Sequence, residues 1–386
     1  TIRQSDEEKS LRVGIRHDFQ PHSTLLATAI LSTSDNSAGG IEEFGVSVDI
    51  ANTTDSTMAE IQHVYTGRRV NLQSGSGYIS SDETSSVSLG VPIGSLIEED
   101  STTEHATIYS YAQIDLSHQL TATLGLGGDL LDSPVKDREQ VNPKLGISWQ
   151  PVKSTLLRGA VFKTLQRRLV YAQTIEPTHV AGFNQFFDDF PATSAWTYAA
   201  GIDHSFKDNV FAGLQFFHRD LDVPFTWVAD PTGVPVQVED EWQEDVGSAY
   251  LYWAPATWFT AGLEYYYEQF THDQWEGPQE IKSLKTHRLT PKIHFFHPSG
   301  ISSRIQAHYV DQTGDFGSTF TGFSRDTEQF WIVDLEFTYR LPKRFGTLGL
   351  GVKNLFDEGF RFLDTDPANP RFLSEQQLFL SLTIAL

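Results

Sequence analysis

This sequence is poor in sulfur-containing residues and has far fewer basic than acidic residues. Its 386 residues include no cysteine and one methionine, which excludes disulfides, thiolate metal sites and cysteine nucleophiles. Lys and Arg number 28 against 50 Asp and Glu, for a formal charge of −22. That balance argues against a nucleic-acid partner, which usually requires a basic patch. The fold must therefore be held by backbone pairing and packing.

Long hydrophobic runs are also missing. No segment approaches the roughly 20 consecutive apolar residues of a membrane-spanning helix, and the mean hydropathy is −0.30. The first residues, TIRQSDEEKSLRVGI, show neither the basic nor the apolar region of an export signal, which a processed or truncated N-terminus would explain. Aromatic residues nevertheless reach 12%, and together with 29 glycines they fit a protein of repeated strands.

Alternation with a period of two dominates the chain. In EQFWIVDLEFTYRLP, every second residue from Trp331 to Tyr339 is apolar. The alternate positions from 334 onward carry charged or hydroxylated residues: Asp334, Glu336, Thr338 and Arg340. The stretches WFTAGLEYYYEQF and VNPKLGISWQPV and the last ten residues repeat this pattern. Many such segments run to about ten residues, the length that a tilted strand needs to cross a bilayer. One face of each strand is therefore predicted to be apolar and the other polar.

The connections between these segments differ in length. Short ones rich in turn-forming residues, such as SFKDN, APATW, HPSG and LPKRFG, join strands in pairs. Between the pairs we expect long polar loops at residues 84–104, 164–194, 220–241, 271–283, 314–327 and 356–375. Short turns at one end and long loops at the other are typical of outer-membrane barrels. A soluble β-sandwich also alternates, but its strands are commonly only about five or six residues long.

The predicted fold is all-β: a transmembrane antiparallel β-barrel of about 16–22 strands with long extracellular loops, or the C-terminal part of a larger barrel. Residues 1–386 are expected to form one outer-membrane β-barrel domain, with any plug or periplasmic domain upstream of this chain. About seventeen strand segments are recognisable, whereas closed bacterial barrels normally have an even number. Either GIEEFGVSVDIAN, residues 40–52, supplies another strand, or strands precede Thr1 in the full protein. We prefer the second interpretation, because EEKSLRVGIRHDF already has the character of a strand leading into a short turn.

The most specific motif lies near the end of the chain, in GTLGLGVKNLFDEGF. It resembles the last hairpin of TonB-dependent outer-membrane receptors, where a strand closes with V-x-N-L-F-D and an aromatic residue follows. The matching residues are Val352, Asn354, Leu355, Phe356, Asp357 and Phe360. A second stretch, QTIEPTHVAGFNQFFDDF before AWTYAAGIDHSF, more closely resembles barrels fused behind tetratricopeptide repeats.

This resemblance implies a location in the bacterial outer membrane, with contacts to outer-membrane lipid and lipopolysaccharide and to a periplasmic or surface protein partner. Two features depart from the family's pattern. The chain offers no room for the N-terminal plug and TonB box, and it ends in Leu386, where the assembly signal of such barrels most often ends in Phe or Trp. Energised uptake is therefore not carried over from the family.

Charged residues of both signs fall on the predicted polar face, and we expect them to line a water-filled lumen. They are Asp129, Lys144, Arg158, Asp203, Arg219, Glu264, Arg288, Lys292, Arg304, Asp334, Glu336, Arg340 and Lys353. Some should form cross-strand pairs that stiffen the wall, and the others a path for a hydrophilic solute. We therefore favour passage of a hydrophilic solute or polymer, either as a TonB-receptor-like protein or as an export porin. The alternative is an anchor or assembly platform for a surface structure or protein complex.

The loop 164–194 is predicted to be the main recognition element. It carries four phenylalanines that would be costly to leave scattered in water: Phe183, Phe186, Phe187 and Phe190. They are expected to fold inward over the pore or to pack against a partner. An equally strong alternative is that they form a small core of the loop itself.

Metal, cofactor and catalytic sites are not expected. His294 and His308 fall on the polar face of consecutive strands with His287 and His297 nearby, but a histidine pair without a third ligand makes a poor zinc site. The acidic pairs Asp188 and Asp189, Asp220 and Asp222, and Asp364 and Asp366 lack the spacing of a calcium loop. Ser324 with His272 is a conceivable catalytic pair, but its local sequence is that of ordinary loop residues.

Overall fold

The computed structural model describes residues 3–43, 46–89, 95–167, 169–170, 173–228, 235–272, 281–318, 322–364, 371–373 and 375–384. Within these residues the chain is almost entirely strand. In chain order the strands are β1 (Arg3–Gln20), β2 (Ser23–Glu43), β3 (Val46–Thr66), β4 (Val70–Leu89), β5 (Ser95–Ser117), β6 (Leu120–Asp132), β7 (Arg138–Val152), β8 (Thr155–Leu165), β9 (His179–Val180), β10 (Phe183–Asn184), β11 (Ser194–Phe206), β12 (Val210–Val228), β13 (Pro235–Ala256), β14 (Phe259–His272), β15 (Ile281–Phe296), β16 (Ile301–Ser318), β17 (Gly322–Arg340), β18 (Gly346–Lys353) and β19 (Gln377–Ile384).

Seventeen of these strands form one sheet in which successive strands pair antiparallel, as in β2 with β3 and β15 with β16. The short strands β9 and β10 make a separate two-residue hairpin. The number of strands in the sheet agrees with the sequence-based count. No helix long and apolar enough to cross a membrane occurs in the described part of the chain.

The chain divides into two compact units. The first consists of Thr1–Ile147, Ala160–Trp196 and Asp222–Glu239, and the second of Ser148–Gly159, Thr197–Leu221 and Asp240–Leu386. Each unit contains part of the sheet together with a long segment that packs on it. In the first unit this segment is residues 166–193, and in the second it is residues 354–376, as far as they are described.

The two faces of the strands separate as the alternation predicts. On β17, Trp331 is 52% exposed and Phe337 is 47% exposed, whereas the neighbouring Phe330 and Ile332 are 3% exposed. Large apolar side chains are exposed in the same way on β6, β16 and β18, as at Leu126, Ile305 and Leu350. Such a row of exposed apolar residues is what a lipid-facing surface requires. We call this side of the sheet the apolar face and the other the polar face.

The buried apolar residues form small clusters on the polar face. In the first unit, Ile30, Met58 and Ile79 from three successive strands pack with Val170 of the long segment. In the second unit, Val310, Phe330 and Ile332 are covered by Phe360, Phe362 and Phe372. The core of this protein is therefore divided into patches that lie beneath the two long segments.

Three of the predicted long loops are wrong. Strands β4 and β5 run on through most of residues 84–104, and β12, β13, β16 and β17 do the same at residues 220–241 and 314–327. Outside the apolar zone a strand needs backbone pairing but no hydrophobic alternation, so the sequence signal ends before the strand does. Cross-strand bonds from threonine to aspartate support these extensions, including Thr84 Oγ1 to Asp100 at 2.7 Å and Thr102 Oγ1 to Asp82 at 2.7 Å. Residues 90–94, 229–234 and 319–321 lie outside the described part.

Residues 40–52 do not supply an additional strand. They contain the end of β2 and the beginning of β3, and Ile41 is opposite Val48 in the register of that pair. The sequence shows no break because apolar and acidic residues continue through the connection. The strand predicted from EEKSLRVGIRHDF is confirmed as β1.

The predicted short turns are confirmed. One connects β15 to β16 through residues 297–300, where Gly300 has a φ of 93°, and another connects β11 to β12, where Lys207 has a φ of 59°. A 3-10 turn at Pro342–Arg344 leads into β18. Of the predicted long loops, residues 164–194 and 356–375 remain as long connections, while residues 273–280 lie outside the described part.

Candidate functional site on the polar face

A row of alternating charges crosses the polar face of the second unit. Arg158 on β8 bonds Asp203 on β11 at 3.1 Å, and the hydroxyl of Tyr250 on β13 donates to the same carboxylate at 2.9 Å. The ring of Tyr250 stacks on that of Tyr252, with 5.0 Å between centroids and 24° between planes. Both rings are therefore fixed in place by a carboxylate and by each other.

The row continues onto β14 and β15. Glu264 accepts hydrogen bonds from the Tyr252 hydroxyl and from the ammonium group of Lys292. The Lys292 ammonium also lies 4.9 Å from the centre of the Tyr252 ring, within cation–π range. The structure thus brings together four of the predicted lumen residues, Arg158, Asp203, Glu264 and Lys292, in one paired belt.

Glycines on the polar face make room for this belt. A Cβ on Gly262 would lie 2.9 Å from Cδ1 of Tyr252 and 3.0 Å from Cε of Lys292. A Cβ on Gly213 of β12 would lie 2.7 Å from Cζ of Tyr250, whose ring crosses that strand to reach Asp203. This explains why glycines alternate with apolar residues along these strands: the aromatic side chains of neighbouring strands lie over them.

Next to the belt lies a groove of about 410 Å³ whose lining includes Tyr252, Tyr266, Arg288 and His308. The Arg288 guanidinium lies 4.9 Å from the centre of the Tyr266 ring, and that of Arg371 lies 5.3 Å from it. Tyr266 therefore contacts two cations, one from β15 and one from the long segment that follows β18.

The second cation, Arg371, belongs to a small charged cluster. It lies 3.5 Å from a carboxylate oxygen of Glu268 and 3.9 Å from one of Asp364. Burial opposes its charge, but Tyr266 and the carboxylates of Glu268 and Asp364 together raise the pKa of Arg371 above its ordinary value. The guanidinium is therefore charged at all working pH values.

Aromatic packing and backbone recognition hold the segment that carries Arg371. The ring of Phe360 stacks on Phe330 at 4.3 Å, and Phe372 meets the same ring edge-on at 5.9 Å. Gln312 on β16 accepts a bond from the backbone N–H of Leu363 at 2.9 Å and donates to its carbonyl at 3.1 Å. The segment is thus docked on the polar face by contacts that are specific to its path.

The residues of the C-terminal motif build the turn that ends β18. Asn354 has a φ of 49° and is 1% exposed, and its side chain bonds both the N–H and the carbonyl of Glu358, each at 2.9 Å. Asp357, with a φ of 55°, accepts a bond from the N–H of Gln376 at 3.0 Å. Asn and Asp are the residues that best tolerate this left-handed conformation. Within the motif, Val352 pairs with Leu378, Leu355 donates to Val333 and Phe356 is 72% exposed.

In the first unit, residues 166–193 are held on the polar face by a buried polar network. Arg167 bonds Glu176 at 2.6 Å, and Glu176 accepts a bond of 2.5 Å from the hydroxyl of Tyr111 on β5. Gln185 donates to the same hydroxyl at 2.9 Å. Burial works against the charge of Arg167, but the Glu176 carboxylate raises the pKa of Arg167 above its ordinary value.

A second set of bonds joins this segment to β3. Glu60 accepts bonds from the hydroxyl of Thr174 at 2.6 Å and from the backbone N–H of Ile175 at 2.8 Å. Gln62 donates to the carbonyl of Ile175 at 2.5 Å. Buried polar groups that are satisfied in this way specify a single path for the segment.

The four phenylalanines of this segment divide into a buried and an exposed part. Phe183 is completely buried, Phe186 lies 5.0 Å from the Arg167 guanidinium, Phe187 is half-buried, and Phe190 is 56% exposed. Phe183 is thus part of the buried packing of this segment, and Phe186 contacts a cation of the same segment. The recognition role of this loop stays a prediction.

The remaining charges predicted for the lumen lie in separate contacts. Lys144 donates to the carbonyl of Lys163 at 3.1 Å, and Asp129 is bonded to His105 at 2.7 Å. The others are distributed as follows: Arg219 pairs with Glu244 at 2.6 Å, Arg304 pairs with Glu336, Asp334 accepts a bond from the N–H of Asn354 at 3.0 Å, and Arg340 and Lys353 are exposed. Pairing that stiffens the wall therefore accounts for a large part of the set.

No group of three or more metal-ligating side chains is placed to hold an ion in the described residues. His294 and His308 do not form a pair: His294 is opposite Arg304, and His308 is opposite Ile332 and bonded to Thr290 at 3.2 Å. Two residues on the same face of neighbouring strands meet only if the register of the strands places them opposite each other. The sequence does not specify this register. Asp366 lies outside the described residues.

Several residues of these clusters were not predicted from the sequence, among them Tyr250, Tyr252, Arg371, Tyr111 and Glu176. In SAYLYWAPAT aromatic residues occupy both faces, so the tyrosines that point to the polar side do not stand out from Leu251 and Trp253. The sequence feature that could have indicated these two tyrosines is the glycine that lies beside each of them on a neighbouring strand, Gly213 for Tyr250 and Gly262 for Tyr252. Arg371 and Glu176 lie in irregular segments, where the period of two gives no information.

Comparison with known proteins identifies the family. The sequence model of the TonB dependent receptor-like β-barrel family matches residues 3–355, so the chain belongs to that family. No curated protein matches. Barrels of this family lie in the outer membrane of bacteria, and this is the location of the present chain. The apolar face is accordingly the lipid-facing side of the strands, and the polar face is the luminal side.

Solved structures support the same fold at low sequence identity. The ferric-catecholate import receptor Fiu from K12 E. coli is 13% identical, with a TM-score of 0.64 over 98% of this chain and 64% of that one. The ferric citrate transporter FecA is 12% identical, with a TM-score of 0.67 over 98% and 61%. The siderophore receptor PiuA from Acinetobacter baumannii is 13% identical, with a TM-score of 0.64 over 92% and 61%. The chain thus spans less than two thirds of each of these receptors, which are transport proteins rather than enzymes.

Proposed function

We propose that the barrel formed by this chain provides passage across the outer membrane for a hydrophilic solute or polymer, as a receptor-like or export barrel. The observation that carries this proposal is the belt from Arg158 to Lys292 on the polar face. Its charges are paired across neighbouring strands at half-buried positions, which suits a wall in contact with water. The matched receptors, whose names denote import of iron complexes, support transport as the class of activity.

Single-channel recording in planar bilayers tests the proposal. The reconstituted protein should give discrete conductance steps, and Glu264→Gln should shift the reversal potential toward anion selectivity because one negative charge leaves the belt. Arg16→Gln is the matched control, since Arg16 is exposed beside the short turn between β1 and β2. A bilayer that stays silent with correctly folded protein would contradict passage.

The alternative is an anchor or assembly platform for a surface structure or protein complex. One observation favours it: the described parts of residues 166–193 and 354–376 pack on the polar faces of their own units, where they occupy space that a solute would need. A silent barrel that co-purifies with a surface or periplasmic protein would support the anchor.

We also propose that the upstream part of the full protein acts as a plug or as a periplasmic adaptor of the tetratricopeptide type. The support is the similarity of residues 173–206 to barrels fused behind such repeats and the greater length of the matched receptors. Reading the gene upstream of the codon for Thr1 tests this directly. A gene that encodes only an initiator methionine or an export signal before that codon would contradict it.

A further inference from the structure

The groove of the second unit is lined by a cation, Arg288, and by one carboxylate, Glu264, which is already bonded to Lys292 and Tyr252. Arg288 is half-buried, and among the described residues no carboxylate lies within salt-bridge distance of its guanidinium. The charged residues around it differ in this respect. Lys292 is bonded to Glu264, Arg371 lies beside Glu268 and Asp364, and Arg304 is paired with Glu336.

The position of Arg288 makes this unbalanced charge costly. Its guanidinium lies 4.9 Å from the centre of the Tyr266 ring and that of Arg371 lies 5.3 Å from it, so the two positive charges are no more than about 10 Å apart. Like charges repel strongly in a partly desolvated site, because the local dielectric is well below that of water. Glu268 and Glu264 also act on Arg288, but neither carboxylate lies within salt-bridge distance of its guanidinium. An anion in the groove would supply a direct partner for this charge.

The groove also offers an aromatic surface beside this charge. Tyr252 and Tyr266 both line it, and the carboxylates that bond Tyr250 and Tyr252 fix the adjoining stacked pair of rings. Rings held in this way contribute contact area without the entropic cost of being ordered on binding. Thr290, Gln306 and His308 add hydrogen-bonding groups around the same space.

We propose that this groove binds the anionic group, carboxylate or phosphate, of an organic solute. Arg288 is the charge partner of that group, because a free guanidinium fork matches the geometry of an oxyanion. The apolar part of the solute lies against the rings of Tyr252 and Tyr266. This inference rests on the proposed passage function. It identifies the solutes as anionic organic molecules, which would bind in the groove during their passage through the barrel.

Titration calorimetry on the detergent-solubilised protein tests the site with three probes: phenyl phosphate, inorganic phosphate and the neutral benzyl alcohol. Phenyl phosphate should bind more tightly than either of the others. Arg288→Gln should weaken its binding at least tenfold, since hydrogen bonds to charged groups contribute strongly. Arg304→Gln is the matched control on the adjacent strand, and it should leave the affinity unchanged because Arg304 is already paired with Glu336.

Two results would contradict the proposed site. Equal binding of phenyl phosphate and inorganic phosphate would overturn the organic part of the proposal, and unchanged binding by Arg288→Gln would overturn the site. If that variant does not show the heat-modifiable migration of a folded barrel, Arg288→Lys replaces it. Lysine keeps the charge but not the fork, so an intermediate loss of affinity is expected and no loss would count against the site.

The calorimetric result is independent of passage. Conductance without binding of phenyl phosphate would refute the anion site in the groove but would be consistent with passage. Binding in detergent by a barrel that is silent in bilayers would refute passage and leave the groove as a ligand site.

Discussion

The two units use the same polar face in different ways. In the first unit, a buried network of Arg167, Glu176, Tyr111 and Gln185 fastens a segment of the chain onto the sheet. In the second, the comparable charges lie in a half-buried belt beside an open groove, and Arg288 has no carboxylate partner in the described residues. The alternation of residue types that builds a luminal wall therefore does not determine whether a polar group serves packing or remains available to a solute.

Burial is what separates the two cases. A charge that is removed from water must be paired, because an unpaired one costs several kcal/mol. Arg167 is 5% exposed and Glu176 is 7% exposed, whereas the side chains of Lys292 and Glu264 are 24% and 38% exposed. Removal of one partner should therefore have a large effect in the buried network of the first unit and a small one in the half-buried belt of the second.

The largest effect is expected from Glu176→Gln. It leaves Arg167 buried without its bonded carboxylate, and such a change typically costs about 3–5 kcal/mol. We expect residues 166–193 to detach and to become sensitive to chymotrypsin while the strands stay folded. Limited proteolysis followed by mass spectrometry measures this.

The matched control for that variant is Glu336→Gln in the second unit, whose partner Arg304 has a side chain that is 48% exposed. An effect below about 1 kcal/mol is expected there. Equal sensitivity of the two variants to protease would show that burial does not distinguish the two regions.

The next largest effect is expected from Gly146→Val. A Cβ at this position would lie 2.7 Å from the Cβ of Ala181 in the connection between β9 and β10, so the hairpin has to move. Overpacking of this kind costs about 1–3 kcal/mol. Faster chymotryptic cleavage after Phe183 is the expected result. Gly14→Val is the control, because the nearest atom to its Cβ is 3.9 Å away; similar cleavage of both variants would argue against the tight contact.

The sequence was sufficient to predict the strands wherever alternation continues, as in β14, β17 and β18. It placed Glu264, Lys292 and Arg288 on the polar face because parity along a strand is fixed by geometry. It did not reveal the lengths of β4, β5 and β12, since backbone pairing outside the apolar zone leaves no periodic trace. It also did not show that Arg288 has no carboxylate within salt-bridge distance among the described residues, because such partners depend on the register between strands and on the path of the segment that carries Arg371.

A smaller effect is expected at the turn after β18. Asn354→Ala loses two bonds to Glu358 and places alanine at a φ of 49°, which costs about 1–2 kcal/mol for the conformation alone. Asn354→Gly removes the same bonds but tolerates the φ, so it should be less destabilising. Urea unfolding in detergent micelles compares the two variants. A glycine variant that is the less stable of the two would contradict the conformational explanation.

The smallest effect is expected from Arg361→Gln in the segment that covers Phe330. Arg361 is fully exposed; its hydrogen bond to Glu328 and the charge of Asp326 raise its pKa above the ordinary value, yet water screens these contacts. No measurable change in stability is expected by urea unfolding. A clear loss of stability would mean that exposed charges, rather than Phe360 and Gln312, hold this segment.

Accessibility of single cysteines tests the central claim, that the polar face of the second unit lines an aqueous passage. The chain has no native cysteine, so Gln306→Cys and Ile305→Cys on β16 report on the two faces without background. In protein embedded in lipid, a charged, water-soluble thiol reagent should modify the first variant rapidly and the second hardly at all, and modification of the first should reduce conductance. Equal reaction at both positions, or conductance unaffected by a bulky group at residue 306, would contradict the account.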